Sequence, residues 1–279
     1  MNTMNKNGFT FVELIVAISI GLVITLAIYS LSEMGQRSSV SISQKVVTQQ
    51  DARAVLDLMA MEIRMASYNP AISSTIWTTI PSNTTGSPSC TQMGLTAPVQ
   101  GNKGIQIATT NTILIAMDLN ADGAIGCNCG ACCATNTCPQ GAACRSANEY
   151  IMYSYDVNAG NITRNVSCGG NEAILGGETG IGTTIANNAT NPAVNLFTYW
   201  GPDIDHPDAN KNCADIDITA KVSSASTAAR WIPQIRRVVI TIVADTELAD
   251  ATTKEKRRMT YSTGVMVRNH VLSPPIPIL

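Results

Sequence analysis

Charge is scarce in this chain: 14% of its 279 residues are Asp, Glu, Lys or Arg, and the formal net charge is −2. With no basic excess there is no electrostatic footprint for a phosphate backbone, so nucleic acid is not an expected partner. Histidine is scarcer still, with two residues. His206 lies in the polar loop Asp203-Ile204-Asp205-His206-Pro207-Asp208, read as a solvated turn with metal chelation as the rival, and His270 ends the last expected strand, where exposure is expected. No nucleophile elbow, phosphate-binding loop or zinc-protease motif occurs, and the many serines and threonines have no paired base, so the sequence points away from an enzyme. Cys-x-x-Cys-His is missing too, which excludes covalent c-type haem. Aromatic residues make up only 5%, against abundant Thr, Ser, Asn, Gly and Ala, a balance that suits β-strands joined by long polar loops.

What the chain does have is an uncharged apolar run. No residue between Glu13 and Glu33 is charged, and the 19 residues Leu14–Ser32 would span about 28 Å as a helix, close to a bilayer's hydrocarbon thickness. A secretory signal is cut after its apolar stretch, following small residues. Here the suitable junction, Gly8-Phe9, comes before the stretch, behind a short leader containing Lys6, so the helix is expected to stay in the mature chain. An ionised Glu13 at the lipid edge costs roughly 2–3 kcal/mol or more and calls for a partner. The terminal ammonium of an adjacent copy would neutralise it and fix the axial stagger between helices. The rival is an ordinary signal anchor with Glu13 among headgroups, which leaves the Gly8-Phe9 junction unexplained. No Lys or Arg follows Lys6 until Arg37, which places the leader in the cytoplasm and everything beyond about residue 33 outside the inner membrane. Nine cysteines agree with that side, where thiols oxidise.

The run Gly8-Phe9-Thr10-Phe11-Val12-Glu13 resembles the class III leader of type IV prepilins, departing by Phe11 where leucine is usual. The resemblance implies that a prepilin peptidase cuts between Gly8 and Phe9 and methylates the new amine of Phe9. It implies also that Glu13, fifth in the mature chain, pairs with a neighbouring subunit's amino terminus. The implied partners are major and minor pilins, the peptidase, the inner-membrane assembly platform, and membrane lipid before assembly. The implied location is the inner membrane, single-pass, then the pilus at the cell surface.

The expected fold is α+β: a long amino-terminal helix, membrane-spanning in its first half, packed on a mostly antiparallel sheet with a cysteine-rich loop insertion. The leader takes residues 1–8, the assembly helix 9–33 and its amphipathic continuation 34–68, with Val47, Ala54, Leu58, Met61 and Met65 as the apolar stripe for the sheet. Asn69-Pro70 ends the helix. The β-rich head follows over 69–272, and a Pro-rich tail over 273–279. Strand pairs are expected within Gly104–Met117, turning at Thr109–Thr112, and over Glu149–Asp156 with Asn161–Val166. Val194–Trp200, Ile235–Ala244 and Arg258–Asn269 supply further strands, and the rest of 167–230 reads as loop. The hairpin at 149–164 and the last two strands resemble PilW-type minor pilins and J-type pseudopilins of type II secretion.

Two features stand out within the insertion 118–148. Asp118-Leu119-Asn120-Ala121-Asp122-Gly123-Ala124-Ile125 has the form of a calcium loop, with Asp118, Asn120, Asp122 and the Ala124 carbonyl as ligands. Cys129 stands where an EF-hand places its bidentate Glu, so a carboxylate from elsewhere, Glu149 or Asp156, would be needed. The alternative is an Asp-Gly turn after a strand. The cysteines are Cys90, Cys127, Cys129, Cys132, Cys133, Cys138, Cys144, Cys168 and Cys213. Disulfides clamping the loop are the first reading, and a zinc or iron–sulfur centre the second. No cofactor is required; calcium is a possible one. The function expected is a minor, PilW-like pilin that primes or caps the pilus; the alternatives are a J-type pseudopilin and a pilus-displayed, calcium-dependent adhesin.

Overall fold

A computed structural model describes residues 10–70, 76–78, 100–119, 121, 125, 149–166, 170–177, 183–205, 214–247, 249–250 and 253–272. Its first element, α1 (Phe11–Arg64), runs 54 residues without a break, about 80 Å at 1.5 Å per residue. Thr10 starts it in extended conformation, and a capping box closes the first turn: the Glu13 amide donates to Thr10 Oγ1 at 3.3 Å, and the Thr10 amide donates to Glu13 Oε2 at 2.8 Å. The helix stops at Met65, after which Ser67 turns left-handed at φ 64°.

The head holds two antiparallel sheets. The first is a meander in chain order: β1 (Ile105–Ala108), β2 (Thr112–Ala116), β3 (Tyr150–Asp156), β4 (Asn161–Val166) and β5 (Glu172–Gly176). The second comprises β6 (Thr184–Ile185), β7 (Phe197–Gly201), β8 (Ile216–Asp217), β9 (Arg237–Asp245) and β10 (Arg258–Met266), in the order β10-β9-β7-β8 with β6 also on β9. Three one-turn α-helices, α2 (Thr219–Val222), α3 (Ala228–Trp231) and α4 (Arg268–Leu272), and 3-10 turns at Ile76–Thr78, Gln100–Asn102, Asn187–Ala189 and Ile232–Gln234 accompany the sheets. The α+β architecture is as expected. Strand β5 and the short elements of 184–231 were not: in Glu172-Ala173-Ile174-Leu175-Gly176 the apolar residues are consecutive and end at a glycine, so no alternation marks the strand.

One core joins α1 to both sheets. Ala52, Val55, Leu56, Met59, Ala60 and Ile63 pack with Ile113, Tyr153 and Ile162 of the first sheet and Phe197, Val238 and Ile240 of the second. Strands β2 and β3 are buried on both faces, because Leu114, Ala116, Tyr150 and Met152 form a second cluster with Ile76, Trp77 and Ile125. The stripe expected to meet the sheet does not do so. Ala54 is exposed, as are Val47 at 46% and Met61 at 54%; the buried set lies nearly opposite, roughly 145° round the helix. Beyond residue 47 the helix carries two apolar stripes, and the head takes the one whose alanines allow close approach and which also brings Glu62 to the half-buried Arg164.

Candidate functional site

The first half of α1 is where the chain meets something outside itself. Every residue from Phe11 to Ser32 is exposed. Phe11 at 76%, Leu22 at 59% and Leu31 at 68% are large apolar side chains facing solvent. Water-soluble monomers rarely expose so large an apolar surface, and this one suits cover by lipid or by other helices. Among the described residues this is the one helix long and apolar enough to cross a membrane. At its start Glu13 is exposed, its carboxylate accepting from both the amide and the hydroxyl of Thr10. Gly8 and Phe9, the expected cleavage and methylation pair, lie outside the described residues.

The second half of α1 is clamped. Arg164 of β4 reaches Glu62 through two nitrogens, Nη2 to Oε1 at 2.5 Å and Nε to Oε2 at 3.1 Å, and the Tyr153 hydroxyl of β3 donates to the same Oε2. Burial, then the bond to Glu62 and its charge, push the Tyr153 phenol well above its usual range. Bidentate pairing of this kind fixes orientation as well as distance. Sequence reasoning missed the clamp; its signal was a glutamate lying between Met59 and Ile63 on an apolar face.

A second tie holds the helix exit. The Ser67 amide donates to Ala116 O at 2.9 Å, while Ser67 Oγ accepts from the Gly104 amide at 2.9 Å and donates to His270 Nδ1 at 2.7 Å. His270 Nε2 then donates to Ile232 O at 2.9 Å. His270 is fully buried, against the exposure expected of it, because the chain leaves β10 at Met266 and folds back as α4. Burial holds its imidazole down at about 4, with the bond to Ile232 opposing and the nearby Lys103 charge assisting. Serine and histidine at this distance resemble a nucleophile and its base, but both are buried and the second nitrogen is spent on a carbonyl. The pair is a structural tie.

Of the calcium set, Asp118 is described, and Asn120, Asp122 and Ala124 lie outside the described residues. Asp118 is buried at the end of β2, its amide donating to Tyr68 O at 2.8 Å. Glu149, at the start of antiparallel β3, stands beside it, its Oε1 accepting from the Leu119 amide at 3.2 Å. Asp156 does not join them. It is exposed at the far end of β3, where Oδ1 accepts from the amides of Asn158 and Ala159 in the hairpin turn. Among the described residues no group of three or more His, Cys, Asp or Glu could hold a metal. All nine cysteines and His206 lie outside the described residues.

Residues 3–29 match the family model described as the prokaryotic N-terminal methylation motif. No curated protein and no solved structure gives a significant match. The chain therefore carries the type IV prepilin-like signal, covering the leader and the first turns of α1. That signal supports a pilin-like or pseudopilin protein, a substrate of prepilin peptidase that assembles with other pilins; with the single apolar helix, it fits a single-pass inner-membrane anchor.

Proposed function

We propose that the chain is a minor, PilW-like subunit of a type IV pilus with no catalytic step of its own. It waits in the inner membrane with its amino terminus in the cytoplasm. Prepilin peptidase removes residues 1–8 and methylates Phe9, and the subunit enters the filament to prime or cap it. The observation that carries this reading is the exposed apolar half of α1, with one carboxylate at its start and a head rigidly attached at its end. Its surface suits lipid first and packed helices later. The second stripe, Val47, Met61 and Met65, extends the apolar surface past the membrane level, as a filament-embedded helix needs. A J-type pseudopilin shares this anatomy and differs in the machine it enters.

The test is the mature amino terminus together with assembly. Mass spectrometry of envelope fractions is expected to find a chain beginning at methylated Phe9, and Gly8→Ala to abolish it. A native product that keeps its first eight residues would end the reading. Co-purification with pilus subunits, rather than with a secretion pseudopilus, separates the two assemblies.

A second reading, calcium held by the Asp118–Ile125 segment, is favoured by Glu149 at its base, where it can supply the carboxylate missing at the twelfth position. Asp118→Ala with Asp122→Ala is expected to lower the melting temperature more in calcium than in chelator. Equal shifts leave only a turn.

A further inference from the structure

We propose that the open edge of β10 takes an added β-strand supplied by another subunit of the assembly. The proposal rests on reading α1 as the membrane anchor of an assembling chain. β10 pairs with β9 along all nine of its residues, Arg258 to Met266, without a register shift. Both ends of the ladder show which residues face β9. Arg257 O accepts from the Thr246 amide, and the Val267 amide donates to Arg236 O. Pairing alternates along an antiparallel strand, so the odd-numbered residues bond to β9. Arg258, Thr260, Ser262, Gly264 and Met266 therefore turn amide and carbonyl outward, and among the described residues nothing bonds to those groups. All of them are exposed.

Proteins commonly blunt such an edge with shortness, a bulge, proline or charge. The other edges here follow that rule. β1 has four residues and a register shift, β5 has five beside another shift, and β6 and β8 have two each. β10 does not follow it, because Met259 to Met266 carries neither charge nor proline. A row of outward amides and carbonyls at every second residue suits an extended peptide backbone.

Two sources within this sequence fail. Identical β10 edges pair antiparallel through a two-fold axis normal to the sheet. α1 lies on a face of that sheet, against Val238, Ile240 and Val265, so this axis would reverse it. The two anchors would then point in opposite directions, which one membrane cannot accommodate. The end of the chain, Ser273-Pro274-Pro275-Ile276-Pro277-Ile278-Leu279, has prolines at three of its positions and lacks the donors for a ladder. The strand comes from a different polypeptide, and Arg53 indicates its chemistry. This α1 residue is exposed and forms no ion pair among the described residues, and its charge acts on the Tyr261 phenol of β10. A carboxylate on the helix-facing side of the incoming strand would meet it.

The experiment compares single-residue amide exchange, read by fragmentation mass spectrometry, in the full chain held in lipid nanodiscs and in sheared filaments. Thr260, Ser262 and Gly264 are expected to exchange about tenfold more slowly in filaments, the slowing that one added net hydrogen bond brings. Tyr261 and Thr263, already bonded to β9, should exchange equally slowly in both. Equal rates at the even positions overturn the proposal. So does slowing already present in nanodiscs that hold two copies of this chain alone, because a second copy would then be the partner. Thr260→Pro removes an outward donor and keeps the ladder to β9, so the head should stay folded and cleavage at Gly8 continue while incorporation falls about tenfold. Undiminished incorporation of a folded Thr260→Pro chain overturns the proposal as well. Entry of the unsubstituted chain into filaments without protection of the even positions defeats the edge and leaves the pilin reading standing. Absence of the chain from filaments and pseudopili alike defeats both.

Discussion

His270 shows how one residue can tie an acid response to the fold. Its imidazole is held near 4 by burial, against 6.5 when exposed, so between those values the unfolded chain binds the proton and the folded chain resists it. Its contribution is complete above pH 6.5 and is lost as pH falls towards 4, by up to about 3 kcal/mol. Denaturant midpoints from pH 7 to 4 are expected to fall, and His270→Gln should flatten that part of the curve while lowering the plateau. The Glu62–Arg164 pair is the other residue-scale lesson. Removing either partner strands a partly buried charge, so Glu62→Ala or Arg164→Ala should each cost about 3 kcal/mol in urea unfolding, with the double change well below additive. Neither feature was legible beforehand. A glutamate in an apolar stripe does not name its partner, and a histidine after a strand reads as exposed until the chain turns back over it.

At the scale of elements, two hairpins were legible because their strands are regular and their turns polar: β1 with β2 and β3 with β4 stand where the pattern put them, whereas β9 and β10 were expected as strands without their pairing, and β10 ends at Met266, short of Asn269. Long α1 was equally plain, but its buried face was not. Apolar residues recur on two sides, and only the head's own shape decides between them. The junction of α1 with the first sheet is tight at Gly104. A Cβ there would lie 2.2 Å from the Ser67 nitrogen and 2.5 Å from Ala116 O, both backbone atoms that cannot step aside. Gly104→Ala is therefore expected to destabilise the head by more than about 2 kcal/mol, or to prevent its folding, as read by thermal unfolding.

For the whole molecule, the division of labour is between a bare helix and a dressed one. The bare half carries Glu13, whose carboxylate in the isolated chain is occupied with Thr10. Entry into a filament on the proposed reading redirects that carboxylate to a neighbour's ammonium. Glu13→Val should leave cleavage at Gly8 intact and abolish co-assembly, measured as loss of the subunit from sheared filaments; undiminished incorporation would remove the pairing from the mechanism. The leader and the apolar run were legible because lipid imposes a simple rule, length without charge. The cysteine-rich insertion gave only a compositional signal, since pairing depends on distances that spacing does not set.

An unbroken α1 also makes the molecule a crank. The head is bolted to residues 52–66 and the helix runs unbroken from there back to Phe11; on the proposed reading, lipid or neighbouring helices grip the stem up to about residue 32. One alanine inserted after Ser38 would swing the head about 100° about the stem while raising it only about 1.5 Å, whereas four inserted alanines would bring it back nearly into phase. The azimuth at which the head faces its surroundings is thus written in the number of residues between grip and bolt, and a filament tolerant of the longer insertion but not the shorter would reveal that angle as the inherited quantity.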